Sequence, residues 1–469
     1  MSWPAIAAIA ADVQAGKTKA SDLVEQALKA IEGQKDFQAI IATTADRARE
    51  RAKAIDANPK GRLAGVPFIA KDNFLTFGSE TTAASNILKG FEAPYQATAI
   101  EKLEAEGAIC VAKANMDAFA HGASTENSDF MTTKNPHNRE YVPGGSSGGS
   151  AAAVVLRLAP FALGTDTGGS IRQPASFCGA VGLKPTYGLV SRSGVVAMAS
   201  STDVIGPLAM TVEDAALVLD VMSGRDELDS TTIERDKEAY TALPSDLKGK
   251  KVGVIKEYMS EALDPAVKKV ITAAIDKFKA AGAEITEVSL PSLPLALACY
   301  YIICPAEVSS NLSRYDGQHY GHHAKDAKDL EASYSQTRSQ GFGNEAKRRI
   351  MIGTYVLSSG YYDAYYKKAQ QLRTKLVKEF DEAFKKVDFL AGPVAPTTAF
   401  EIGKNADDPL QMYLQDIMTV AVNLVGIPAI SIPAGNTNGL PVGLQLMAPQ
   451  KHDRQLLGLA QAAEGALHE

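Results

Sequence analysis

Two glycine- and serine-rich clusters, separated by one apolar stretch, constrain this chain more than any other feature. Residues 142–150 read VPGGSSGGS and run straight into AAAVVL, and residues 164–174 read GTDTGGSIRQP. A flexible Gly/Ser spacer is solvated on both sides; the first cluster leads into an apolar run, so a linker describes it poorly. A phosphate-cradling loop fits no better, because neither a GxxxxGK[ST] frame nor a GxGxxG register is present. Gly145-Ser146-Ser147-Gly148-Gly149 does fit G-x-S-x-G with Ser147 at its centre. That elbow follows a strand and needs a late histidine. Here the polar NPHNREY precedes it, His452 lies in a polar run and His468 is the penultimate residue.

The second cluster follows the apolar PFAL and places Ser170 after a Gly-Gly pair. Consecutive backbone N–H groups in such a turn face one point and suit an oxyanion. A serine nucleophile there needs a proton acceptor, and no histidine is near in sequence. A lysine withdrawn from solvent can serve, because desolvation lowers an amine pKa by up to several units. Lys71, closing the apolar run AGVPFIA, is the candidate, against the ordinary reading of a solvated lysine. Asp166 and Arg172 flank the nucleophile loop and are expected to brace it by pairing or backbone hydrogen bonds.

Around these clusters the chain alternates between helical and strand patterns. The first sixty residues read as helices, with Ser21 as an N-cap and Gly33 as a stop. RLAGVPFIAKDN predicts a short buried strand, and TAIEKLEAEGAICVAKAN a helix, a glycine stop and a strand. AAAVVLRLAP reads as a helix leading into the strand FALGTDT. MTVEDAALVLDVMSG is an amphipathic helix capped by Thr211. Residues 250–290 read strand, helix, strand. Residues 306–350 form an irregular helical excursion, and residues 361–387 one long amphipathic helix. AISIPAG and LPVGLQLMAP form a hairpin turning at NTNG, and the last helix spans DRQLLGLAQAAEGAL. Such alternation implies an α/β fold with a large mixed, mostly parallel β-sheet covered by helices. The expected organisation is a single domain over 1–469. It comprises N-terminal helices at 1–60, the motif-bearing core at 61–220, and the remaining sheet, excursion and substrate pocket at 221–469.

Composition narrows the function. The net charge of −6 argues against this chain being the main nucleic-acid contact. Cys110, Cys178, Cys299 and Cys304 show no CxxC spacing and read as buried, reduced thiols of a cytoplasmic protein. The N-terminus lacks the basic start of a signal peptide, and no uncharged run has the composition of a membrane span. His319, His322 and His323, with Asp316 and Asp326 nearby, match no metal-ligand spacing and read as a solvated loop, so no metal is expected.

GGSSGGSAAAV, GTDTGGSIRQPASFCGAVGLKPTYG and GVPFIAKDN together resemble the amidase signature family, over nearly the whole chain. The resemblance implies a Ser–cis-Ser–Lys triad. Ser170 would be the acyl-forming nucleophile, Ser146 the bridging serine after a cis Gly145–Ser146 bond, and Lys71 the base. Thr167, Gly168, Gly169 and Ser170 would supply the oxyanion hole. CPAEVSSNLSRYDG, KRRIMIGTYVLSSGYYDAYYKKAQQLR and DIMTVAVNLVGIPAISIP are similar to the branch that works as glutaminase within tRNA-dependent amidotransferases. For that branch the resemblance implies Arg349 (or its neighbour Arg348) on the carboxylate of glutamine, Asp416 on its ammonium, and Tyr301 at the pocket. It further implies a B subunit that contacts tRNA and uses ATP and Mg, a small C subunit, and no cofactor in this chain. A stand-alone amidase acting on small amides is the alternative. Residues 117–122, DAFAHG, depart from the EFAMG-like run common in that branch, and RYDGQHYGHH carries extra histidines.

Overall fold

A computed structural model describes residues 2–241, 246–406 and 408–468. Eleven strands form one sheet: β1 (Ile40–Thr43), β2 (Pro67–Lys71), β3 (Ile109–Ala114), β4 (Phe161–Asp166), β5 (Val181–Lys184), β6 (Val204–Ala209), β7 (Lys251–Ile255), β8 (Glu284–Val288), β9 (Phe389–Pro393), β10 (Ala429–Thr437) and β11 (Leu440–Met447). Their order is β1-β3-β2-β4-β6-β5-β10-β11-β9-β7-β8. The sheet is mixed, as expected, but its balance differs from the mostly parallel expectation. Six of the ten pairings are antiparallel and four are parallel. The reason lies at the centre, where β4, β6, β5, β10 and β11 pair antiparallel throughout. Helical crossovers keep β2 parallel to β3 and β4, and β7 parallel to β8 and β9.

Strands β2, β3, β4, β5, β6, β9 and β11 are buried along their whole length, which explains their near-continuous apolar runs. The hairpin β10–β11 turns on Asn438 and Gly439, both at positive φ (52° and 78°), as the turn residues predict. Thr211 caps the helix Val212–Met222 by accepting a hydrogen bond from Asp214 N at 3.2 Å.

Four local expectations need correction. The first sixty residues are not all helical: β1 lies among the helices and pairs antiparallel with β3 at the sheet edge. Ser21 does not cap its helix, which starts at Ala20; the carboxylate of Asp56 instead accepts from Ala20 N (2.6 Å) and Ser21 Oγ (2.6 Å). The long helix spans Tyr366–Phe384, shorter than expected, because residues 359–365 are spent in turns. The helical stretch Leu293–Arg314 passes the length and hydropathy test for a membrane span, against the expectation that no run would. Half of its apolar window is buried inside the fold, where Ala296–Asn311 packs against Asn344–Leu357 and Tyr366–Phe384.

What positions the site is the parallel pairing of β2 with β4, in the register Phe68↔Phe161, Ile69↔Ala162 and Ala70↔Leu163. Their carboxyl ends therefore emerge side by side, the end of a parallel sheet where ligands gather. Lys71 is the last residue of β2, and Thr165 and Asp166 the last two of β4.

Candidate active site

Lys71 is fully buried and donates from Nζ to Ser146 Oγ (2.7 Å), Ser147 Oγ (2.9 Å) and Thr165 Oγ1 (2.9 Å). Burial pushes its amine down to about 7, although the carboxylates of Asp117, Asp166 and Asp203 pull the other way. A substantial neutral fraction thus exists near neutral pH, one hydrogen bond from the Ser146 hydroxyl.

Ser146 lies just ahead of the helix Gly148–Val155, and the Gly145–Ser146 bond is cis. Glycine at 145 is required by crowding: a Cβ there would lie 2.1 Å from Asp117 Oδ2 and 2.6 Å from Ser124 N. Ser147 stands at the helix N-cap, yet its hydroxyl does not cap. It accepts from Lys71 and Thr165 N (3.3 Å) and donates to Thr165 O (3.2 Å). Fully buried and committed on every side, Ser147 is no exposed elbow serine.

Ser170 is 7% exposed, and its hydroxyl has no protein partner among the described residues. A backbone bond from Ser147 N to Ser170 O (3.1 Å) ties the two clusters together. The backbone N–H groups of Thr167, Gly168, Gly169 and Ser170 also have no protein acceptor among the described residues, as an anion-receiving turn requires. Gly169 has φ of 138°, and a Cβ on it would strike Thr419 Oγ1 at 2.2 Å. Thr419 Oγ1 in turn donates to Gly168 O at 2.5 Å. Behind the loop, Arg172 is fully buried and donates to Asp166 (2.8 and 3.0 Å), Asn423 Oδ1 (2.6 Å) and Gln445 Oε1 (2.5 Å). Asp166 also accepts from Ile171 N (3.2 Å), so the pair braces the loop as its position suggested. The Arg172 guanidinium holds the Asp166 carboxyl down at about 2 in spite of burial.

The three pocket residues come together. Tyr301 Oη donates to Asp416 Oδ2 at 3.0 Å, and its ring stacks on Tyr413 with centroids 4.0 Å apart. Arg349 lies 5.3 Å from the Tyr301 ring and 5.6 Å from that of Tyr413, with Nε on Glu345 Oε1 at 2.9 Å. Arg349 is buried, whereas the Arg348 side chain is 43% exposed and paired with Glu345. Arg349 and Tyr301 line a cavity of about 150 Å³ together with Ser124 and Glu345. Burial raises the Asp416 carboxyl to about 7. A second cavity of about 250 Å³, lined by Asn73, Thr165, Thr167 and Asp203, opens beside the Lys71 partners.

Sequence reasoning missed Thr165, which had a signal in its place within GTDTGGS. It also missed Asp117 and Asp203, which act on Lys71 from distant loops and carry no local signal. The histidine cluster gathers nothing: His322 contacts Gln340 Oε1, His323 contacts Gly317 O, and His319 lies 3.6 Å from Asp316. Among the described residues no group of three His, Cys, Asp or Glu side chains could hold a metal ion. All four cysteines are free and buried.

Known proteins resemble this chain in sequence and in fold. Residues 22–457 match the Amidase family. The chain is similar to the A subunit of the glutamyl-tRNA(Gln) amidotransferase of Halothermothrix orenii, at 52% identity over 92% of this chain and 90% of that one. The crystal structure of the corresponding A subunit from Thermotoga maritima superposes with a TM-score of 0.80 at 41% identity, covering 94% of this chain and 91% of that one. The peptide amidase of Stenotrophomonas maltophilia superposes with a TM-score of 0.83 at 29% identity, covering 99% and 97%. By motif, fold and relatives alike, the chain belongs to the amidase family, the amidase signature enzymes that its two Gly/Ser clusters resemble.

Proposed function

We infer that this chain is the glutaminase component of a tRNA-dependent amidotransferase. The observation that carries the reading is one corner holding both a buried guanidinium, Arg349, and a buried carboxyl group, Asp416, joined through Tyr301. Glutamine is a zwitterion at its α-carbon, and a selective site needs one charge of each sign. Neutral Lys71 takes a proton through Ser146 from Ser170, whose Oγ forms a bond to the side-chain amide carbon. The N–H groups of Thr167, Gly168, Gly169 and Ser170 hold the oxyanion, with about 3–4 kcal/mol at stake per donor in comparable sites. Collapse breaks the C–N bond, the proton returns through Ser146 to the leaving nitrogen, and ammonia departs. Water then attacks the acyl-Ser170 ester by the same relay and releases glutamate.

The relatives named as A subunits of an amidotransferase support a role inside an assembly. In this reading a B subunit contacts tRNA, uses ATP and Mg and transfers the ammonia to tRNA-bound glutamate, and a small C subunit completes a cytoplasmic heterotrimer. The peptide amidase likeness keeps a stand-alone amidase as the second reading. A substrate panel separates the two. Ammonia release from glutamine that rises when B and C are co-expressed supports the first; rapid turnover of simple aliphatic amides by the isolated chain overturns it.

A further inference from the structure

His121 is fully buried, and among the described residues neither Nδ1 nor Nε2 has a hydrogen-bond partner. Buried polar groups are nearly always satisfied, so two orphaned nitrogens on one ring call for a missing partner. The ring is not there by chance of a floppy loop. Asp117 accepts from Thr125 N (2.9 Å) and Asn127 N (3.1 Å), and Asn127 Nδ2 donates to His121 O (2.8 Å). Phe119, with its centroid 6.3 Å from the imidazole, is itself pinned against Tyr315 and Phe342. The loop is therefore fixed by its own bonds, while the imidazole nitrogens are left without one among the described residues.

Its chain neighbours border two cavities, and the charge of Arg349 acts on its ring. Gly122, Ala123 and Ser124 line the cavity that contains Arg349 and Tyr301, and Ala120 lines the cavity beside Thr165. Burial and the nearby charge of Arg349 keep the imidazole neutral, with one N–H donor and one acceptor. Arg349 spends Nε on Glu345 (2.9 Å), and Nη1 lies 3.9 Å from Cys304 Sγ, so three of its five N–H donors stay open to a ligand. The hydroxyls of Tyr301 and Tyr413 are committed to Asp416 and Glu345. A carboxylate held by Nη1 and Nη2 still has free lone pairs on both oxygens, which a further donor beside Arg349 can fill.

We propose that His121 is a specificity residue of the amide-substrate pocket, donating a ring N–H to the α-carboxylate that Arg349 holds. This rests on the reading that glutamine is the substrate. A histidine stands here in place of the methionine of the EFAMG-like run, and a thioether cannot donate.

The test compares His121→Met and His121→Gln with the unaltered chain in the assembled complex, on glutamine and on 4-aminobutanamide, which keeps the amide and the ammonium but lacks the carboxylate. His121→Met should raise KM for glutamine about tenfold, the scale of one hydrogen bond to a charged group. It should leave kcat nearly unchanged and leave KM for 4-aminobutanamide where it was. His121→Gln should recover most of the loss, and His121→Met should not lower the melting temperature, because it removes a buried unpartnered polar group. An unchanged KM for glutamine in folded His121→Met, or an equal rise for both amides, overturns the proposal. Ammonia release from glutamine by the unaltered complex, abolished by Ser170→Ala, is the separate control on the substrate itself.

Discussion

Replacing Lys71 by methionine removes the base while keeping an unbranched side chain in a site closed to solvent. Nζ is 2.7 Å from Ser146 Oγ, so the substitution deletes the acceptor at the first step of the proton path. Loss of a positioned general base lowers rates by about 10²–10⁴. Here Ser146, Ser147 and Thr165 lose their common partner at once, which also loosens the relay, so kcat for glutamine should fall toward the upper end of that range. Lys71→Arg should do no better, because a guanidinium stays protonated. The sign of the pH dependence follows from the same geometry. Burial holds the Lys71 amine at about 7, and its deprotonated form is the active one, so kcat should climb as pH rises through about 7 and level off above. Asp416 ionises in the same region but acts on binding, so kcat, which reports the bound complex, isolates the lysine. The assay is ammonia release by the reconstituted complex across the neutral range, with circular dichroism to confirm the fold. A Lys71→Arg enzyme of near-normal rate, or a kcat flat with pH, would falsify the base assignment and leave Lys71 as a fixed charge.

Ser170→Ala should abolish transamidation driven by glutamine yet retain that driven by ammonium chloride, measured on one preparation by conversion of tRNA-bound glutamate; failure with both donors means that this chain does more than make ammonia. Arg349→Met should raise KM for glutamine by at least about tenfold, as expected for losing a charged hydrogen bond, and Arg348→Met should leave it nearly unchanged; the reverse pattern transfers the carboxylate to Arg348. Arg172→Met leaves Asp166 buried without its counter-charge, so denaturant unfolding should show a loss of about 3–5 kcal/mol; a loss below about 1 kcal/mol, the scale of an exposed pair, would mean that Asn423 and the backbone N–H groups suffice to hold Asp166.

What was legible in the sequence was whatever a short window determines. The strands around Lys71 and Ser170 showed as unbroken apolar runs because both sheet faces are covered there. The Thr211 cap and the Asn438–Gly439 turn showed because a cap and a two-residue turn are complete within a few residues. Pairing is not local. Nothing within β5 or β6 records that its neighbour runs antiparallel, since a fully buried strand has the same composition in either sense. Ser21 shows the same limit at a helix end: its hydroxyl suits a cap, but a carboxylate from Asp56, far along the chain, took the free N–H groups first. The active site divides along the same line. Lys71, Ser146 and Ser170 lie in motifs that a reader of sequence can find, whereas the carboxylates of Asp117 and Asp203, which keep the Lys71 amine from falling further, arrive from separate loops. Their effect exists only once the fold has excluded water between them. The chemistry of this lysine is therefore written in two places, its identity in a local motif and its basicity in the packing of the whole sheet end.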